Sequence, residues 1–114
     1  KFSTRFFAKY KRMPSSLQAA DYSAATNYLK AVQTAGTTDG DKVMSTLKSM
    51  KFDDFYNKGQ IRADGRMIHD MYLFEVKNSK ESITPWDYYK TIAKVPGEQA
   101  FTTVAESKCS LLKK

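Results

Sequence analysis

Residues 15–36, SSLQAADYSAATNYLKAVQTAG, decide how the rest of the chain is read. Pro14 precedes them, and a residue before proline avoids the helical region, so the chain arrives extended. Ser15 with Gln18 three positions later fits a capping box, in which hydroxyl and amide satisfy backbone groups reciprocally. Leu17, Ala20, Ala24, Tyr28 and Val32 recur at spacings of three and four, and Ala25 and Leu29 widen the stripe. The expectation is an amphipathic helix burying that stripe. Three alanines in it let a neighbouring element come close. Gly36, just past the last periodic residue, is a helix stop.

Upstream, KFSTRFFAKYKR places Phe2, Phe6 and Tyr10 every four residues, with Phe7 beside them. Lys1, Arg5, Lys9 and Arg12 follow the other face. The pattern is in phase at Phe2 with no cap before it, so the expectation is a helix belonging to something longer. Downstream, Thr38 or Asp39 can cap a second helix whose apolar face is Val43, Leu47 and Met50, with Met44 adjacent. Residues 52–60 break the helical period. Asp64-Gly65 is a hairpin signal between Gln60-Ile61-Arg62 and a strand running from Met67 to Lys77. Both faces of that strand are apolar between 71 and 74, which predicts cover on both sides. Residues 88–95, YYKTIAKV, read as another strand, stopped by Pro96-Gly97. The last residues show no clear period, with Phe101, Val104 and Leu111 as anchors.

The bulk numbers bound the function. A chain of 114 residues is one domain at most, large enough to bury a core. It has no run of 18 apolar residues and no signal-peptide pattern. The formal net charge is +7, but Lys1, Arg5, Lys9, Lys11 and Arg12 supply most of the excess. Beyond them, cations and acids interleave as on an ordinary solvated surface, which argues against nucleic acid as a partner. His69 is the single histidine and Cys109 the single cysteine, with no spaced metal-ligand motif and no glycine-rich phosphate loop. His69 and Asp70 are strand neighbours pointing to opposite faces, so they form no dyad. No nucleophile, base and orienting group assemble. The expectation is no enzyme, no metal and no cofactor.

In this frame the string AADYSAATNYLKAVQTAGTTDGDKVMSTLK resembles the late helical part of type I periplasmic solute-binding proteins. These are the branched-chain amino acid (Leu/Ile/Val) family of ABC importers. GQIRADGRMIHDMYLFEVK resembles the strand pair that follows there. PWDYYK, the proline-glycine turn and ESKCSLLKK resemble the tail of a subgroup. The resemblance runs in order along nearly the whole chain but matches the last third of such a protein. It implies an α/β fragment of a two-lobed fold: residues 1–58 from the first lobe, 59–66 as the hinge crossing and 67–114 from the second lobe. It implies an extracytoplasmic, periplasmic receptor that binds an amino acid or a related, aromatic carboxylate solute between its lobes. Closure then presents the complex to a membrane ABC permease. Leu17, five positions before Tyr22, is the first candidate for facing the ligand. Gln18, at the helix start, is second and Tyr22 third. In an oxidising compartment Cys109 would pair with a cysteine outside this chain. Other expected partners are the remaining part of the same polypeptide or a second copy of this chain. The alternative reading is a small basic module that binds nucleic acid or completes its sheet by dimerising.

Overall fold

The computed structural model describes residues 2–108, Ser110 and Leu112. Three helices come first: α1 (Phe2–Tyr10), α2 (Ser16–Ala35) and α3 (Gly40–Ser49). Five strands follow, β1 (Lys51–Asp53), β2 (Lys58–Ile61), β3 (Met67–His69), β4 (Met71–Val76) and β5 (Tyr89–Val95), then a short α4 (Gly97–Ala100). The mixed α/β class matches the expectation.

Local signals set the helix limits. At the start of α2, the Ser15 hydroxyl accepts from the Gln18 amide at 3.3 Å. The Gln18 side-chain carbonyl accepts from the Ser15 amide at 2.9 Å, so the capping box is complete. Gly36 ends the helix in the left-handed region, φ 64°, and donates to the Val32 carbonyl. Asp39 caps α3, accepting from the Lys42 amide at 3.1 Å. Helix α1 ends earlier than the sequence pattern, because Lys11 turns to φ 56° while donating to the Phe7 carbonyl.

The buried face of α2 departs from the expectation. Leu17, Tyr28 and Leu29 are exposed, whereas Ser23, Asn27 and Ala31 are buried. The line that faces inward is offset from the apolar stripe, and two of its members are polar. They are buried because both bind one carboxylate from beyond α3. The Ser23 hydroxyl donates to Asp54 Oδ2 at 2.6 Å and the Asn27 amide donates to the same oxygen at 2.8 Å. A polar side chain with a charged partner can be buried at little cost. Apart from Ala31, the buried apolar residues among those described are Val43 of α3 and Phe52 of β1.

The strands form two separate sheets. One has the order β1-β2-β3, all antiparallel. Its β2–β3 hairpin is the one signalled by Asp64-Gly65, where Gly65 at φ 83° permits the turn and Arg62 donates to the Arg66 carbonyl. The other sheet is an antiparallel ribbon of β4 and β5, with an irregularity between Leu73 and Phe74. The strand expected from Met67 to Lys77 is therefore two strands, parted at Asp70. Residues 59–66 are most of β2 and the turn that follows it, hydrogen-bonded within the first sheet. The change of sheet falls at Asp70. The cover expected on both faces of 71–74 is absent among the described residues: every residue of β4 and β5 is exposed.

The whole is extended. The radius of gyration is 17.5 Å, against about 13 Å for a compact domain of this length. Phe101 meets the His69 ring at a centroid distance of 5.4 Å, and Val104 is half-buried, so two of the expected tail anchors touch the fold. Leu111 and Cys109 lie outside the described residues.

Candidate functional site

Two of the candidate residues on α2, Gln18 and Tyr22, sit at an aromatic cluster built by three elements. The period-four face of α1 lines up Phe2, Phe6 and Tyr10, with ring centroids 5.9 and 4.7 Å apart in succession. Tyr22 of α2 lies 5.0 Å from Phe2. Phe55, from the loop between β1 and β2, stacks on Phe2 at 4.8 Å and meets Tyr22 edge-on at 5.8 Å. Such tilted and offset pairs are the favoured geometries of aromatic rings.

Asp54 fixes the loop that carries Phe55. One carboxylate oxygen takes the Ser23 and Asn27 donors, and the other accepts from the amides of Tyr56 at 2.8 Å and Asn57 at 3.1 Å. Partial burial pushes the Asp54 carboxyl up. The Ser23 hydroxyl, the two loop amides and the Asn27 side chain outweigh it, so the net shift is downward. Asp54 stays ionised and holds the aromatic loop against α2.

Between α1 and the start of α2 lies a hollow of about 360 Å³, lined by Phe2, Phe6 and Tyr10, by Gln18 and Tyr22, and by the cations Arg5 and Lys9. Two of the candidate residues thus share one hollow. Leu17 does not line it and is 75% exposed. The carbonyl oxygen of Gln18 is engaged by the helix cap, so what Gln18 can offer a solute is N–H donors. Rings with two cations and no acid suit an apolar or aromatic body carrying a carboxylate.

A larger hollow of about 700 Å³ opens where the two sheets meet, with Asp54, Tyr56, His69, Asp70, Tyr72 and Lys94 among its walls. The His69 ring Nδ1 lies 2.9 Å from the Asp70 carbonyl oxygen. The Asp70 carboxylate is held below the usual range by Lys94 and then by the Gly97 amide.

Sequence reasoning passed over Phe55, Asp54 and Lys94. Asp54 followed three residues later by Asn57 is a turn signal that could have located the loop. Nothing local pairs residue 94 with residue 70. Among the described residues no cluster of three or more metal-ligating side chains occurs, and no helix is long and apolar enough to cross a membrane.

A family model described as "Periplasmic binding protein" matches residues 1–81. No curated protein matches the chain. Among solved structures, a periplasmic binding protein from Burkholderia mallei is 68% identical, with a TM-score of 0.94 over 98% of this chain. A branched chain amino acid ABC transporter periplasmic ligand-binding protein from Burkholderia xenovorans LB400 is 44% identical, with a TM-score of 0.90 over 96% of this chain. This chain spans 30% of the first structure and 29% of the second.

Proposed function

We propose, from the premise that this chain belongs to the periplasmic binding protein family, that it forms about a third of a two-lobed periplasmic solute receptor. The solute is an amino acid or a related small carboxylate, aromatic ones included, bound between the lobes and delivered to an ABC permease. The observation that carries this reading is the 44% identity to a branched chain amino acid ABC transporter ligand-binding protein over 96% of the chain. The hollow lined by rings, Arg5 and Lys9 supports the carboxylate and aromatic part of it. Tyr22 and Gln18 are the residues of this chain proposed to meet the solute from the hollow, with the exposed Leu17 as a third candidate. On this reading residues up to His69 belong to one lobe and β4–β5 to the other, with Asp70 at the crossing. The exposed ribbon is then covered by the remaining polypeptide. Cys109 pairs with a cysteine in that part. A receptor of this kind delivers its solute unchanged and catalyses nothing.

The test begins with the intact mass of the native polypeptide, expected near three times the 13.0 kDa of this chain. That polypeptide is then titrated by calorimetry with L-leucine, L-phenylalanine and benzoate. Saturable binding of at least one, weakened by Tyr22→Ala, is the expected result. A native mass of 13.0 kDa, or no heat with any of the three, overturns the reading.

A further inference from the structure

The passages between the two sheets run side by side. The chain leaves β3 at His69 and enters β4 at Met71, with Asp70 alone between them. It comes back from β5 at Val95 through Pro96 to Gly97, where α4 begins against β3. Met71 and Val95 are paired across the ribbon. Gly97 lies so close to β3 that a Cβ there would stand 2.9 Å from the carbonyl carbon and oxygen of His69. Outgoing and returning chains therefore touch at both ends of the passage.

One side chain joins them in the middle. Asp70 Oδ1 accepts from the Gly97 amide at 3.0 Å, and Oδ2 accepts from Lys94 Nζ at 2.6 Å. Lys94 stands on β5 opposite Tyr72, so the carboxylate reaches the returning chain on both sides of Pro96. The Lys94–Asp70 pair is open to water, so its worth lies in geometry more than in stability. Two strands held at such a point cannot bend independently. Rotation of one sheet against the other has to flex both passages about a common axis, or break these bonds.

We propose that Asp70 is a positioning residue of the hinge, clasping the two passages so that they bend as one and the lobes swing along a single path. This rests on the reading above only in taking the two sheets to belong to different lobes. A second link between the helices and the ribbon side, Phe7 edge-on to Trp86 at 5.2 Å, is apolar and involves neither passage. The variants below leave it intact.

The test uses the full-length polypeptide with spin labels at Lys30→Cys on α2 and Lys80→Cys in the loop between β4 and β5. The readout is the width of the label-to-label distance distribution without solute. Asp70→Ala and Lys94→Met are each expected to widen it at least about 1.5-fold, as freeing one of two coupled hinge strands should. Lys94→Arg keeps the native width. Should Asp70→Ala fold poorly, Asp70→Asn, which retains an acceptor for the Gly97 amide, carries the test together with Lys94→Met. Native widths in the variants overturn the proposal. So does a lowered melting temperature with an unchanged width, since that marks a merely structural residue. Adding L-leucine or benzoate to the native protein tests the receptor reading separately. A mean distance that fails to move counts against solute-driven closure, while widened variants still uphold the clasp.

Discussion

The helices with the first sheet and the β4–β5 ribbon are made of similar residues and bury very different amounts. In the first region Ala31, Val43 and Phe52 are buried, and a carboxylate carries Ser23 and Asn27 in with them. In the ribbon, Met71, Tyr72, Leu73, Phe74, Tyr89 and Ile92 are all exposed. Backbone pairing forms a strand, but burial needs a third element to lie over it, and a two-stranded ribbon has none of its own. The first region has its third element in α3, which packs on β2. The difference teaches that strand formation in the ribbon is local, while none of the described residues supplies its packing.

The sharpest way to break the first region is at Gly59. A Cβ there would fall 2.0 Å from the Ile68 carbonyl oxygen, a backbone atom of the paired strand. Gly59→Ala must push β2 off β3, and we expect a loss above about 4 kcal/mol, or no folded protein, by chemical denaturation. A loss below about 1 kcal/mol would mean the two strands are not held that closely. Asp54→Ala comes next. It removes the acceptor of the Ser23 hydroxyl, of one Asn27 amide hydrogen and of two loop amides, at about 3 kcal/mol. Because Phe55 then loses its anchor, near-ultraviolet circular dichroism should weaken along with stability.

The ribbon gives the complementary test. On the proposed reading it is covered in the full-length polypeptide, so Leu73→Ala there should cost about 2 kcal/mol, the usual range for a buried leucine. A change within about 0.5 kcal/mol would mean the ribbon is bare in the whole protein as well. In that case the contrast between the regions belongs to the molecule and not to this stretch of it.

What could be read beforehand divides along the same line. The capping box at Ser15 and Gln18, the left-handed Gly36, the Asp39 cap and the Asp64-Gly65 turn each depend on residues a few positions apart. Each formed as expected. The buried face of α2 was not legible, because Ser23 and Asn27 become interior residues only through Asp54, 31 and 27 positions away. The sheet change at Asp70 was hidden inside an apolar run that local pattern reads as one strand. The site shows the same division. Phe2, Phe6 and Tyr10 could be placed on one helix face from their spacing alone. Phe55 beside them, and Lys94 beside Asp70, required contacts that no local rule supplies.

The smallest expected effect lies in the β2–β3 turn, where the first region is held by charge. Arg62 donates through Nε to Asp64 Oδ1 at 2.9 Å and through Nη2 to the other oxygen, while also reaching the Thr102 carbonyl at 2.9 Å. The guanidinium holds the Asp64 carboxyl down at about 2, against an ordinary value of 3.8. A carboxyl depressed in the folded state adds stability that is fully present above its unfolded value and is lost as pH falls toward its folded one. For Asp64 that window runs from about 4 down to about 2. Arg62→Met should bring the titration of the Asp64 carboxyl carbon, followed by NMR, back up toward 3.8. The variant should also lose stability less steeply than the native protein across the window. A titration midpoint that stays near 2 in the variant would assign the depression to the Arg66 amide, which donates to Asp64 Oδ1 at 3.2 Å. The turn would then be held by its backbone, and the tie from Arg62 to the tail at Thr102 would be incidental to it.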